Sequence, residues 1–261
     1  MKGVAEWAVK WGADAIIGQF YPDDDISVFA ENNIIAVAQD FKTRFNSIPN
    51  ITGDHYLAGK MGARYFISKG FRNFAFYGFE GVVWSTERCE GFRQELMRNN
   101  MAHNYFEYNN IEFKDLWYYE SGPLINWLKS LPKPVAIMAC DDNQGHHIAE
   151  LSKTYGLHIP QQIALLGVDN DETICSLSDP PLSSIDQAVE KGGYETARLI
   201  DSILGGGQQP GDDSNIYVKP THIVTRQSTD IYATDDKYIS EVLQYIHQNI
   251  DQKLNVRDIS R

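Results

Sequence analysis

The stretch that decides the fold is Ile163–Gln187, IALLGVDNDETICSLSDPPLSSIDQ. It opens as an unbroken apolar run, Ile163 to Val168, then turns acidic at Asp169, Asp171 and Glu172. Such a run suits a strand covered by helices on both faces, as in a parallel sheet. Pro180-Pro181 stops the chain, and Leu182–Ile185 reads as a second, shorter strand. In open parallel sheets, ligands lie outside the carboxyl ends of the strands. Asp169, where the apolar run ends, is therefore a place to meet a polar ligand.

Outward from that strand the pattern alternates. Ala15–Gly18, Ile34–Ala38, Phe74–Gly78 and Val135–Cys140 read as strands, with Ile216–Val218 and Ile223–Thr225 as late strand pieces. Val4, Trp7, Ala8 and Trp11 fall at helical spacing, ended by Gly12, and Ile26–Asn33 reads as a short helix. Asp54 is placed to cap a helix carrying Leu57, Met61 and Tyr65, with Gly70 at its end. Ser85 or Thr86 can cap a helix with Cys89, Phe92 and Leu96 inward, and Leu124, Ile125 and Leu128 mark another. A helix from about Asp142 to Tyr155 is closed by Gly156, and one from Ala188 to Leu204 ends at Gly205-Gly206-Gly207. Strands alternating with helices of this length give βαβ units and an α/β fold with parallel sheets. After Asp230 the composition changes. Ile239, Val242, Leu243 and Ile246 define an amphipathic helix, and Leu254–Ile259 reads as the start of the next.

With 261 residues, 43% of them apolar, the chain can bury two compact cores. Its net charge of −12 argues against a general surface grip on phosphate backbones, so nucleic-acid contact requires a local basic element. The three cysteines, Cys89, Cys140 and Cys175, are widely spaced, which gives no disulfide framework or zinc motif and fits reduced thiols in a cytosol. No apolar stretch reaches the length of a membrane span, so no membrane partner is expected. Glu6, Lys10 and Asp14 interrupt any signal-peptide core.

Three strand ends carry polar groups that one sheet would bring to one edge. Asp141 follows the strand ending at Cys140, Asp169 follows the strand ending at Val168, and the loop after Tyr77 leads to Trp84 and Arg88. Carboxylates accept hydrogen bonds from paired hydroxyls, a guanidinium donates a planar fork, and an indole covers an apolar sugar face. Two acids to one base favour an uncharged polyol over an anion. Each residue also has a plainer role: Asp141 as a helix cap, Asp169 as a turn residue, Trp84 as packing, Arg88 as a surface cation in the first turn of its helix. Trp7 and Trp11 read as core or subunit-interface anchors. His146-His147 inside a helix point to different faces and do not suit a metal, and His55 and Cys89 lack spaced partners. The sequence holds no nucleophile elbow, P-loop or dinucleotide fingerprint. Nothing separates Asp169 from Asp171 into an acid and a base, so the chain is read as a non-enzyme without cofactor.

Tyr77-Gly78, Glu87-Arg88-x-x-Gly91-Phe92, Gly156-Leu157-x-Ile159-Pro160, Leu166-Gly167-Val168-Asp169-Asn170 and Pro181-Leu182-Ser183-Ser184-Ile185-x-Gln187 together resemble the effector-binding domain of LacI-type sugar repressors, over residues 1 to about 230. Lys237–Arg261, KYISEVLQYIHQNIDQKLNVRDISR, resembles the start of an AraC-type helix-turn-helix domain. The resemblance implies a two-subdomain periplasmic-binding-protein-like (type I) fold followed by an all-α helix-turn-helix segment over 231–261. It implies a first subdomain of about 1–71 and 186–215, a second of about 72–185 and 216–230, and crossings near Gly70, Ile185 and Asn215. It further implies a cytoplasmic, sugar-responsive transcriptional regulator, homodimeric, with Arg88, Asp141 and Asp169 on the sugar. D-xylose is the first candidate effector, although the residues alone do not separate a pentose from a hexose. A solute-binding protein of a sugar transporter is the alternative. Measured against the family pattern, an opening strand-helix-strand and the recognition helices are absent. The expectations are a bare edge on the first sheet and operator binding only by an intact protein.

Overall fold

The computed structural model describes residues 1–111, 121–207 and 214–233, with Tyr238, Ile239, Val242, Tyr245, Ile246 and Asn255 beyond them. Of the amphipathic helix expected after Asp230, Tyr238, Ile239, Val242, Tyr245 and Ile246 are described and helical. Leu243, and the helix start expected at Leu254–Ile259 apart from Asn255, lie outside the described residues.

The chain builds two sheets. The first unit begins with α1 (Lys2–Trp11), β1 (Ala15–Gly18), α2 (Ser27–Glu31), β2 (Ile35–Gln39) and β3 (Asn50–Gly53). The chain then crosses to α3 (His55–Ser68), β4 (Phe74–Phe79), α4 (Val83–Arg98), β5 (Tyr105–Ile111), α5 (Ser121–Ser130), β6 (Val135–Ala139), α6 (Asp142–Thr154), β7 (Ile163–Asp169), α7 (Glu172–Leu177) and β8 (Ser183–Asp186). It returns through α8 (Val189–Leu204) and β9 (Ile216–Val218), and crosses once more to β10 (Ile223–Val224). The first sheet runs β1-β2-β3-β9, all parallel, and the second β10-β8-β7-β6-β4-β5, parallel except for β10 against β8.

The second sheet repeats the logic of Ile163–Val168. Every residue of β4 and β6, and of β7 up to Val168, is buried, because helices cover both faces. Met138 of β6 pairs with Phe76 of β4 and with Leu166 of β7, so the three strands that hold the core stand in register. On one face, α3 and α4 approach backbone to backbone. A Cβ at Gly59 would fall on the Arg88 carbonyl, and one at Gly91 on the Tyr56 carbonyl, so only glycine permits this packing.

Several boundaries differ from expectation. The buried face of α3 is Ala58, Gly59, Gly62, Ala63 and Phe66; Leu57, Met61 and Tyr65 flank it half-buried. The close approach to α4 selects small residues, which an apolar count overlooks. Because Ala58, Ala63 and Phe66 join the second core, the first crossing lies at Gly53-Asp54, not near Gly70. Ile216–Val218, assigned from sequence to the second subdomain, pairs with β3 in the first sheet, which moves the third crossing from Asn215 to between Val218 and Ile223. Neither Ser85 nor Thr86 caps α4. That helix starts at Val83 without a side-chain cap, and the Ser85 hydroxyl instead accepts from the Phe79 amide at 2.9 Å. Arg88 therefore sits in the second turn, beyond most of the dipole penalty. Trp7 and Trp11 are not core: they stack on each other at 5.1 Å and are 54% and 76% exposed.

Candidate functional site

The two sheets face each other across a cavity of about 380 Å³, within the range of small-molecule clefts, roughly 300–1,000 Å³. The first unit lines it with Gln19, which follows β1, Gln39 and Asp40 at the end of β2, and Ile51 and Thr52 of β3. The second unit lines it with Trp84, Arg88 and Asp169. The crossings add Gly53, His55 and Gln187, and the opening of α8 adds Val189.

Arg88 is the hub. It is only 3% exposed, and it spreads its donors over three partners. Nε–H donates to His55 Nδ1 at 3.3 Å, Nη1 to the Cys140 carbonyl, and Nη2 to Asp169 Oδ1 at 2.9 Å. Its guanidinium carbon lies 5.1 Å from the Trp84 ring centroid, a cation–π distance. Arg88 and Trp84 thus both come from α4, and Arg88 meets Asp169 at the end of β7. Asp169 keeps 43% of its side chain exposed, so one oxygen answers Arg88 while the carboxylate still faces the cavity.

On the opposite wall, Asp40 anchors a second polar group. It accepts from Arg44 and from the Thr52 hydroxyl, and its Oδ2 lies 3.4 Å from His55 Nε2. Burial works to raise the Asp40 pKa, but His55 beside it and the bonds from Arg44 and Thr52 outweigh it and hold the carboxyl below its usual range. Burial, with the nearby Arg88 charge, lowers the His55 pKa despite the pull of Asp40. A neutral His55 fits the geometry: Nδ1 accepts from Arg88, which places the proton on Nε2, towards Asp40. Arg44 also clasps Glu87 at 2.7 and 2.8 Å, joining the first unit to α4.

Asp141 stands apart from the other three sequence candidates. It is the N-cap of α6, accepting from the Gln144 amide at 2.7 Å, and it is not among the residues lining the cavity. Burial, then repulsion from Asp169, pushes its pKa up to about 6. His146 and His147 diverge, towards Ser178 and Tyr77 respectively. Among the described residues no three His, Cys, Asp or Glu side chains gather in a metal-binding cluster, and no helix is long and apolar enough to cross a membrane.

Asp40, His55 and Gln187 escaped the sequence reading. Asp40 follows the apolar run of β2 as Asp169 follows that of β7, so the same strand-end rule would have found it. His55 lacked spaced partners only along the chain; its partners lie 15 residues before it and 33 after. Gln187 is 5% exposed, and neither polar atom of its amide has a hydrogen-bond partner among the described residues. A buried amide in that state is a group built for something else to satisfy.

Residues 63–229 match the family of periplasmic binding protein-like domains, and the chain belongs to that family. Within it, the chain is similar to the xylose operon regulatory proteins of Haemophilus influenzae (28% identity, 94% of this chain and 65% of the relative) and Escherichia coli K12 (26% identity, 96% and 67%). It spans about two thirds of the length of these relatives. Among solved structures it resembles the xylose-binding transcription activator xylR, with a TM-score of 0.72 and 25% identity over 99% of this chain and 72% of that one.

Proposed function

We propose that this chain is the sensing part of a sugar-responsive transcription regulator, with D-xylose bound between the two sheets as effector. The observation that carries the reading is the composition of the cleft wall. Two acids, Asp40 and Asp169, face one cation, Arg88, and a neutral imidazole, with amides at Gln19, Gln39 and Gln187. That set offers donors and acceptors in pairs to hydroxyls without excess charge for an anion. Trp84, Ile51 and Val189 supply apolar surface for the C–H faces of a sugar ring. Asp141, the cap of α6, is read as the fourth sugar ligand, acting through the carboxylate oxygen that the Gln144 amide does not hold.

Sugar binding favours closure of the cleft in proportion to its differential affinity for the closed form. The motion is confined to three short crossings, at Gly53-Asp54, Gln187-Ala188 and Val218–Ile223. In the whole protein, closure would control an AraC-type reader that follows Asp230, acting as a cytoplasmic homodimer on operator DNA. A match covering 94% of the chain extends past residue 230, which supports reading the tail together with the sensor. The sugar is bound and not transformed.

Calorimetric titration with D-xylose, arabinose, ribose, glucose and fucose tests this reading. D-xylose is expected to bind most tightly, unchanged after prolonged incubation. No heat from any of the five sugars overturns the sensor reading, and a consumed sugar overturns the non-enzymatic one.

A further inference from the structure

We propose that Arg226, outside the cleft, is a positioning residue that sets the aim of Asp169. This rests on reading Asp169 as a sugar ligand. The turn that carries Asp169 is held in an unusual backbone. Asp169 and its neighbour Asn170 have φ of 106° and 55°, a region that side-chain-bearing residues leave unless they are held. Four groups hold it. Ser184 Oγ accepts from the Asn170 amide at 3.0 Å, Asp142 Oδ2 accepts from the Asp171 amide at 2.8 Å, and Asn170 Nδ2 donates to Asp186 Oδ2 at 3.3 Å. The fourth is Arg226, whose Nη2 donates to Asn170 Oδ1 at 2.9 Å while Nη1 donates to the Leu182 carbonyl at 2.9 Å.

Three of these holders belong to the sheet or to the helix start beside it. Arg226 does not: it follows β10 and opens the segment that leaves the sheet. That segment is pinned along its length. The Ser228 hydroxyl donates to the Leu165 carbonyl at 2.6 Å, Thr229 lies 2.7 Å from the Tyr65 hydroxyl, and the Ala233 amide donates to the Lys69 carbonyl at 2.9 Å. Tyr65 and Lys69 lie at the far end of α3, whose first residue is His55 in the cleft. Arg226 therefore ties the ligand acid to the chain's exit segment, and a shift of either is felt by the other. Its two-pronged grip uses two nitrogens of a planar guanidinium; an ammonium presents its three donors from a single atom and cannot match the spacing of both acceptors.

The test is a double-mutant cycle on D-xylose affinity in the 261-residue chain, with the melting temperature followed in parallel. Arg226→Ala is expected to weaken binding about tenfold in the unaltered background and less than about twofold when Asp169 is already alanine. Arg226→Lys should recover little of the loss. Asn170→Gly, which keeps the left-handed backbone accessible but removes both Oδ1 and Nδ2, should weaken binding at least as much as Arg226→Ala, and Arg226→Ala should add nothing to it. Equal effects of Arg226→Ala with and without Asp169 would overturn the positioning role while leaving the sugar reading intact. So would a lowered melting temperature with unchanged affinity. An unaltered chain that binds no sugar would overturn both.

Discussion

The two sheets are built to different standards. In the second, β4, β6 and β7 are buried on both faces, and one continuous core runs from Phe41 to Ile185. In the first, the corresponding cluster has seven buried residues, four of them alanines. Apolar side chains stay exposed around that first sheet, including Ile17 on β1 and Tyr217 on β9, the two edge strands. The second unit contributes Arg88, Asp169 and Trp84 to the cleft. The first contributes Asp40, Gln19 and Gln39, with Asp40 held by Arg44 and the Thr52 hydroxyl. In the proposed closure, the better-packed second unit is the frame and the alanine-rich first unit the part expected to move.

From this asymmetry, the largest loss of stability is expected in the second core. Phe76 is fully buried on β4 against Phe92, with ring centroids 6.3 Å apart. Phe76→Ala is expected to cost about 3–5 kcal/mol in urea unfolding, since the close-packed sheet cannot collapse around the cavity. Phe29, equally buried but in the alanine-rich cluster, should fall at the low end of that range, about 3 kcal/mol, when replaced by alanine. Equal losses would erase the distinction between the units.

The next effect is electrostatic. Burial pushes the Asp142 pKa up to about 7 against the pull of bonds from Ser184 and the Asp171 amide. The folded chain then holds a proton that the unfolded chain releases at the ordinary carboxylate pKa. Stability contributed by this group is present at low pH and falls as pH rises through that window to about 7. An asparagine at this position would imitate the protonated acid, its amide N–H facing Ser184 and its oxygen accepting from the Asp171 amide. Asp142→Asn should therefore flatten the decline between pH 5 and 8, gaining on the order of 2–4 kcal/mol relative to the unaltered chain at pH 8. A pH–stability curve parallel to that of the unaltered chain would refute the assignment.

A smaller effect reads the cleft itself. Asp169→Ala removes a charged acceptor and is expected to weaken D-xylose binding by about 1.5–3 kcal/mol in calorimetric titration. Undiminished affinity would remove Asp169 from the site.

How much of this was legible beforehand follows the same division. Ile163–Val168 announced a doubly covered strand because six consecutive buried residues leave no alternation to misread, and Val135–Cys140 and Phe74–Gly78 did likewise. The strand Asn50–Gly53 gave no such signal: NITG alternates buried and half-buried positions over only four residues. Edge strand Tyr105–Ile111 carries Glu107, Asn109 and Asn110, and the six-residue helix Glu172–Leu177 is too short to show a period. In the site, Trp84, Arg88 and Asp169 were visible because each follows a strand of the obvious sheet. Asp40 comes from the less obvious unit and His55 from just past the first crossing, and the contacts that define them join residues far apart in sequence. The empty-handed amide of Gln187 is a property of packing, which no single residue announces.

The smallest effect tests the first unit at its surface. Trp7 and Trp11 lie one helical turn apart on α1, stacked at an interplanar angle of 24°, with Val4 and Val9 exposed on the same helix. Because both indoles are already in water, replacing them deletes little burial beyond their mutual contact, worth about 0.5–1.5 kcal/mol at most. Trp7→Ser is thus expected to change the unfolding free energy of the dilute chain by about 0.5 kcal/mol, an order below Phe76→Ala. Quenching of tryptophan emission by acrylamide should fall in parallel, since an accessible fluorophore is removed. A loss above about 1 kcal/mol that grows with protein concentration would mean that α1 is covered in solution by a second copy. The first unit would then owe its stability to assembly, and its difference from the second would belong to the isolated chain alone.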